Sequence, residues 1–246
     1  MIRVRYALMV ALFAPLLWQG VIWLTDVPAF ILPSPWRVAQ AAWINRALIT
    51  QHSLVTATEV AAGLAVGAIL GTVTAVLLAL SARAHRMVMP LLVFTQSLPV
   101  FALAPILTLW FGYGLASKVV IAVLIIYFPV TSAFYDGLTR VPADILDMAK
   151  TMGATKFQTM RRIKIPHALP SLGTGLKLAA VYAPIGAVIG EWVGASQGLG
   201  YLMLLANGRA KTDLMFASLL ALAIMTLVLH LAVGRASARL QRPEQP

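Results

Sequence analysis

The chain has 246 residues, 60% of them hydrophobic and 11% charged, with a mean hydropathy of +0.86. These values exclude an ordinary soluble globule and indicate a polytopic membrane protein of one domain, residues 1–246. The absence of cysteine excludes disulfides and thiolate chemistry, and in a membrane protein a net charge of +11 reports orientation rather than nucleic-acid binding.

The first predicted span covers Tyr6 to Leu24 behind Arg3 and Arg5, and it reads as a retained anchor because no small-x-small cleavage pattern follows it. Residues 26–53 form a mixed segment. Pro28, Pro33 and Pro35 make its start irregular, and Val38 to Ile49 reads as a surface helix whose Trp36 and Trp43 suit a membrane interface. The second span, Leu54 to Leu80, carries Gly63, Gly67 and Gly71 on one face, continued by Ala75 and Ala79, which permits close approach of another helix. The third, Met87 to Phe111, contains Pro90, Pro99 and Pro105 and is expected to break into two half-helices. Gly112 and Gly114 mark a turn before the fourth span, Ser117 to Phe134. The fifth is Ser171 to Val193 and the sixth Leu214 to Val233, which makes the fold all-α with six transmembrane helices.

Between spans four and five lies a polar island, residues 138–170, too charged to cross a bilayer. Pro142 suits the first position of a helix, Asp144 and Asp147 suit its positive end, and Gly153 stops it. Ile145, Met148, Ala149 and Met152 share one side of that helix. A second short helix is expected from a Thr155 cap, with Phe157, Met160 and Ile163 as its stripe, Arg161, Arg162 and Lys164 in its last turn, and Pro166 as its end. Together they make a two-helix knob facing water, suited to docking another protein.

Most Lys and Arg residues fall on the knob's side of this arrangement: Arg3, Arg5, Arg83, Arg86, the six between Arg140 and Lys164, and Arg235, Arg239 and Arg242. Arg37, Arg46, Lys118, Arg209 and Lys211 fall on the other, and Lys177 lies within span five. The asymmetry places the knob and both termini in the cytoplasm. No stretch reads Gly-x-x-x-x-Gly-Lys-Ser/Thr, and Gly175-Leu176-Lys177 sits in an apolar span where it cannot cradle phosphate. Gly198-Leu199-Gly200 and Gly112-Tyr113-Gly114 read as turns. His52, His85, His167 and His230 are scattered, and there is no Gly-x-Ser-x-Gly elbow, so neither a metal site nor a hydrolase is indicated.

Asp147-Met148-Ala149, three residues, Gly153, nine residues and Ile163-Lys164-Ile165-Pro166 resemble the EAA loop of binding-protein-dependent ABC importer permeases. That pattern reads Glu-Ala-Ala, three residues, Gly, nine residues, Ile-x-Leu-Pro. Asp147, Met148 and Ile165 depart from it while keeping charge and apolar character. Leu32-Pro33-Ser34-Pro35, Leu109-Trp110-Phe111-Gly112, Gly190-Glu191-Trp192 and Gly198-Leu199-Gly200-Tyr201 look like the nitrate, sulfonate and taurine branch. The runs from Pro99 to Pro105 and Pro184 to Trp192 look most like permeases for thiamine-precursor pyrimidines, in a branch that also holds riboflavin, sulfonate and taurine importers.

The resemblance implies a type I importer permease fold in the bacterial inner membrane, with no ATPase activity of its own. ATP and Mg would be bound by a separate cytoplasmic ATPase dimer, and solute delivered by a periplasmic or lipid-anchored binding protein. A second copy of the chain completes the pathway, its seam expected along the glycine-rich faces. Asp147, Ala149, Gly153, Ala154, Ile163 and Pro166 are the implied coupling residues. For the solute path, a neutral aromatic base needs stacking surfaces and hydrogen-bond partners, which Gln96, Ser97, Tyr127, Thr131, Tyr182 and Trp192 offer, and the acids Glu59, Asp136 and Glu191 outnumber Lys177 in or near the spans. Glu191 reads either as a carboxylate buried at a gate or as one paired with Arg209 or Lys211. Two other classes compete: an ion-coupled secondary transporter, which would often show broken helices in both halves, and a membrane enzyme, for which no constellation is visible.

Overall fold

A computed structural model describes residues 2–240, with side chains for 13–239. The expectations for Arg3, Arg5 and Arg242 therefore fall outside the described side chains. Among the described residues every regular element is a helix: α1 Ile2–Thr25, α2 Pro35–Ile44, α3 Arg46–Leu80, α4 Ala82–Ser97, α5 Val100–Phe111, α6 Leu115–Thr139, α7 Ala143–Thr151, α8 Lys156–Thr159, α9 Ile165–Gly194, α10 Leu199–Gly208 and α11 Thr212–Leu240. Four helices are long and apolar enough to cross a membrane: α3, α6, α11 and the helix that ends as α9. The pair α4 and α5 makes a further span bent by 99°. α1, at 24 residues, has the length for another.

The span breaks in two as expected, and of its three prolines it is Pro99 that marks the bend. Leu98 is extended (φ −81°, ψ 127°), as the residue before a proline prefers, and Pro99 caps α5 without a donor to offer. Pro15, Pro90, Pro105, Pro129, Pro170 and Pro184 all lie inside helices, so proline alone does not break a span here.

The centre of the bundle is α6, held between α3 and α9. A Cβ added at Gly63, Gly67 or Gly71 would meet Ala122, Ile126 or Val130 of α6 at 2.6 to 2.9 Å, so these glycines let the two helices touch. From the other side, a Cβ at Gly186 would sit 2.6 Å from the Cα of Ala122, and one at Gly190 would sit 2.8 Å from Lys118. The glycine faces are thus consumed inside the chain. The expectation of a seam with a second copy along them is corrected, because a surface already closed to van der Waals contact has no room for another helix.

Apolar layers follow α6 from end to end. Ile121 packs on Ala104 and Leu107 of α5, and Ile126 and Val130 pack among Val60, Ala179 and Ala183. Phe134 and Leu138 pack among Ala75, Met160 and Ala168 at the end that carries the knob. The far end holds a separate cluster in which Val38 and Ile49 meet Leu199, Leu202, Ala206 and Leu214. Helix α10 was not foreseen; its ten residues lie between spans expected to be joined by a turn. The surface helix also ends earlier than expected, since Asn45 breaks it (φ −98°, ψ 18°) and α3 begins at Arg46. Trp36 and Trp43 are exposed, in keeping with an interfacial segment.

Candidate functional site: an exposed knob and a buried polar junction

The knob is built from local signals. Helix α7 starts after Pro142 with Asp144 in its first turn. It ends in a left-handed Gly153 (φ +76°), whose N–H bonds the Lys150 carbonyl at 2.9 Å while the Ala154 N–H reaches back to Ala149 at 2.9 Å. This pair of bonds satisfies carbonyls that the helix leaves open, and the positive φ favours glycine there. Thr155 then caps α8 in a reciprocal box: its hydroxyl accepts from the Gln158 N–H at 3.2 Å, and the Gln158 side chain accepts from the Thr155 N–H at 2.8 Å.

Pro166 does not end the second helix, which corrects the sequence expectation. A π-turn over Met160–Lys164, with the Ile165 N–H bonding the Met160 carbonyl, joins α8 to α9. Pro166 falls in the first turn of α9, just past that wider turn, where the loss of one donor and the bulk of its ring are absorbed. The result is one continuous helix of 39 residues, Lys156–Gly194, about 58 Å long at 1.5 Å per residue. The knob is therefore the start of a span, not a pendant on a loop.

The stripe expected on the knob divides in two. Ala149 and Met160 are buried against the bundle, Met160 among Ala75, Phe134 and Leu138. Met148, Met152 and Phe157 are 59%, 79% and 68% exposed, and Ile145 is exposed beside them. Asp147 pairs with Lys150 at 2.8 Å on the surface. Ala154 lines a cavity between the knob and the end of α3, together with Leu80, Leu146, Lys150, Lys156 and Lys164. Ile163 is half-buried.

At the far end, side chains separated by well over a hundred residues converge. Glu191 of α9 is 1% exposed and accepts hydrogen bonds from the Thr56 hydroxyl at 2.6 Å and from the Gly200 N–H. The Leu199 N–H donates to Thr56 Oγ1 at 2.8 Å, and the Gly198 N–H donates to His52 Nδ1 at 2.9 Å. Three consecutive N–H groups that begin α10 are thus satisfied by α3 and α9. Gly198 (φ +111°) is needed because a Cβ there would collide with the Glu191 carboxylate. One turn along α3, Glu59 Oε1 bonds Lys118 Nζ of α6 at 2.9 Å, both buried, and the two carboxylates are close enough to interact. Glu59 Oε2 meets no donor.

Glu191 is therefore buried, and its partners are Thr56 and Gly200 rather than Arg209 or Lys211. Lys118, assigned from sequence to an exterior connector, is a buried ion-pair partner within α6; that assignment is corrected. The other expected path residues do not gather at one point. Tyr127 donates to Thr74 Oγ1 at 2.7 Å, and the buried Thr131 donates to the Tyr127 carbonyl at 2.8 Å. Gln96 donates to the Leu124 carbonyl at 3.2 Å, and Ser97 is exposed beside the bend. Tyr182 and Trp192 are exposed on α9, with Trp192 edge-on to Phe101 at 6.4 Å between ring centres. Trp192 also borders an apolar groove between α9 and α11 whose walls include Val181, Ile185, Leu222 and Leu227. His52 and Thr56 were not singled out from sequence; a polar pair at i, i+4 near the start of an apolar span was the available signal. Among the described residues, no group of three or more His, Asp or Glu is placed to hold a metal ion.

Among the described residues, bilayer-length helices and an exposed knob continuous with one of them give the chain the architecture of a polytopic membrane subunit. Residues 63–242 match the family described as the binding-protein-dependent transport system inner membrane component, and the chain belongs to that family. A probable ABC transporter permease of Haemophilus influenzae is 46% identical over 232 residues, which is 94% of this chain and 95% of the relative. The formylaminopyrimidine transport permease of Halalkalibacterium halodurans is 43% identical over 173 residues, 70% of this chain and 69% of the relative. Among solved structures, the MetNI methionine ABC transporter in an inward-facing conformation is alike in fold, with a TM-score of 0.70 at 21% identity, covering 79% of this chain and 97% of that one. The chain is a permease subunit of an ABC importer with the type I fold.

Proposed function

We propose that this permease carries a thiamine-precursor pyrimidine across the bacterial inner membrane, driven by a separate cytoplasmic ATPase that grips the knob. The observation that carries the ATPase reading is the knob itself. Met148, Met152, Phe157 and Ile145 leave an apolar face in water at the start of a continuous helix, and such a face calls for a protein partner. Asp147, Gly153, Ala154, Ile163 and Pro166 shape that surface and its junction with α9, while Ala149 seats it on the bundle. The substrate reading draws on the 43% identity to a formylaminopyrimidine permease and on the exposed side chains Tyr182, Trp192, Gln96 and Ser97.

The knob and both termini lie in the cytoplasm, a binding protein delivers solute to the far face, and a second copy completes the pathway. ATP binding closes the partner ATPase, draws the two knobs together and tilts the spans; hydrolysis resets them. The coupling rests on different contacts in the two states, since a ligand shifts an equilibrium only by its differential affinity.

The test is reconstitution with the ATPase and the binding protein encoded beside this chain. ATP-dependent uptake of a formylaminopyrimidine is expected. A binding protein that holds riboflavin or a sulfonate instead would overturn the substrate, and uptake that persists without the ATPase would favour an ion-coupled carrier. Replacing Met148 and Met152 together with serine is expected to leave the chain in the membrane and abolish its co-purification with the ATPase.

A further inference from the structure

We infer that Glu191 is a positioning residue for transport: it ties the outer end of the knob-bearing helix to the start of α10, so that displacement of the knob is delivered to the far face of the bundle. The inference rests on the importer reading above.

The knob's second helix and α9 form one uninterrupted helix, and Glu191 lies three residues from the end of it. On this inference a displacement of Lys156 is carried along the helix to Glu191, across the π-turn at Met160–Lys164 and past Pro170 and Pro184. At that end, the connection to α10 consists of a short turn, the contact of Gly200 with Val188 and the polar junction. The carboxylate of Glu191 holds Gly200, and through Thr56 it is linked to Leu199, while His52 holds Gly198. A polar junction suits a moving contact better than an apolar one. Its bonds are directional, so they fix the orientation of the groups they join as well as their separation. The neighbouring pair of Glu59 and Lys118 fixes α3 to α6 at the same level, so that four elements, α3, α6, α9 and α10, meet within one buried polar region.

Besides the close approach of Gly200 to Val188 of α9, the buried apolar contacts of α10 lie elsewhere. Leu199, Leu202 and Ala206 pack on Val38, Ile49, Leu214 and Ala217, that is, on α2, α3 and α11. Without the junction, α10 would stay with those helices, and its hold on α9 would be reduced to the short turn and the contact of Gly200 with Val188. The turn before it, where Gln197 is exposed beside Tyr113 and Ser196 at the mouth of an outer cavity, would no longer report the state of the knob.

The chain is free of cysteine, so a single Gln197→Cys substitution gives a clean reporter of that turn. In the reconstituted complex with its ATPase and binding protein, labelling at position 197 is compared with and without a non-hydrolysable ATP analogue. The Gln197→Cys chain is expected to change its labelling rate between the two conditions. Adding Glu191→Ala, or the near-isosteric Thr56→Val, is expected to keep co-purification with the ATPase, lose that change and lower uptake about tenfold, while Glu191→Gln, which keeps an acceptor for the Gly200 N–H, restores most of both. Normal uptake with Glu191→Ala and Thr56→Val, or an unchanged labelling response in them, would overturn the inference. Equal loss in Glu191→Gln and Glu191→Ala with co-purification also lost would do so too, since it would mark a purely structural role. If the chain carrying Gln197→Cys alone does not co-purify with the ATPase, the importer reading fails and this inference with it.

Discussion

The two ends of the molecule are built on opposite principles. The knob is assembled from bonds between residues three to five apart: the Gly153 and Ala154 closure, the Thr155 and Gln158 box and the Asp147 and Lys150 pair. It leaves Met148, Met152 and Phe157 exposed. The far end is held mainly by bonds between residues 135 to 146 apart, and it buries the ion pair of Glu59 and Lys118. A surface meant to meet a separate protein has to be complete before that partner arrives, so it is specified locally. A junction that links four helices exists only once those helices are in place.

This contrast can be broken or sharpened by substitution. The largest effect is expected at the buried end, where Glu59→Ala leaves Lys118 without its anion inside the bundle. About 3–5 kcal/mol of stability should be lost, read as a lower thermal midpoint in detergent and poor recovery from membranes. A midpoint close to that of the unsubstituted chain would show that water reaches Lys118.

Substitutions in the knob should be smaller and should separate stability from function. Gly153→Val meets open space, so its cost is confined to the left-handed backbone, about 1–2 kcal/mol. The chain should insert and purify normally but lose uptake and stimulated ATP hydrolysis. Normal transport by this variant would remove the knob from the mechanism. Thr155→Ala should cost about 1 kcal/mol through the lost cap. It should loosen only α8, visible as faster amide exchange there with the far end unchanged. Asp147→Asn breaks a pair exposed on both sides, for which about 0.5 kcal/mol or less is expected, so any large fall in ATPase binding would come from the docking surface itself.

The legible parts of the sequence were those whose cause is local. The bend at Leu98 and Pro99, the stop at Gly153 and the cap at Thr155 each depend on the backbone preferences of one or two residues; the stop and the cap stand where the pattern put them, and the bend takes one of the three prolines that offered it. The Pro166 expectation failed because the effect of a proline depends on the turn before it. A π-turn made room, and no rule of residue type announces that turn. Lys118 was read by its place in the chain, near a connector, although its environment is set by Glu59 on another helix. Helix α10 escaped notice because Gly198 and Gly200 look like turn residues, and one of them is, while the other gives its N–H to Glu191.

By itself the sequence determined that the chain lives in a bilayer, which stretch stands out in water, and which family pattern that stretch follows, because hydropathy and short-range backbone chemistry act on neighbours along the chain. Only the tertiary structure decided that the glycine faces close on α6, that the knob and its span are one helix, and that Glu191 holds α10. Close approach, burial and long-range hydrogen bonding are properties of residues that meet only after the helices have packed.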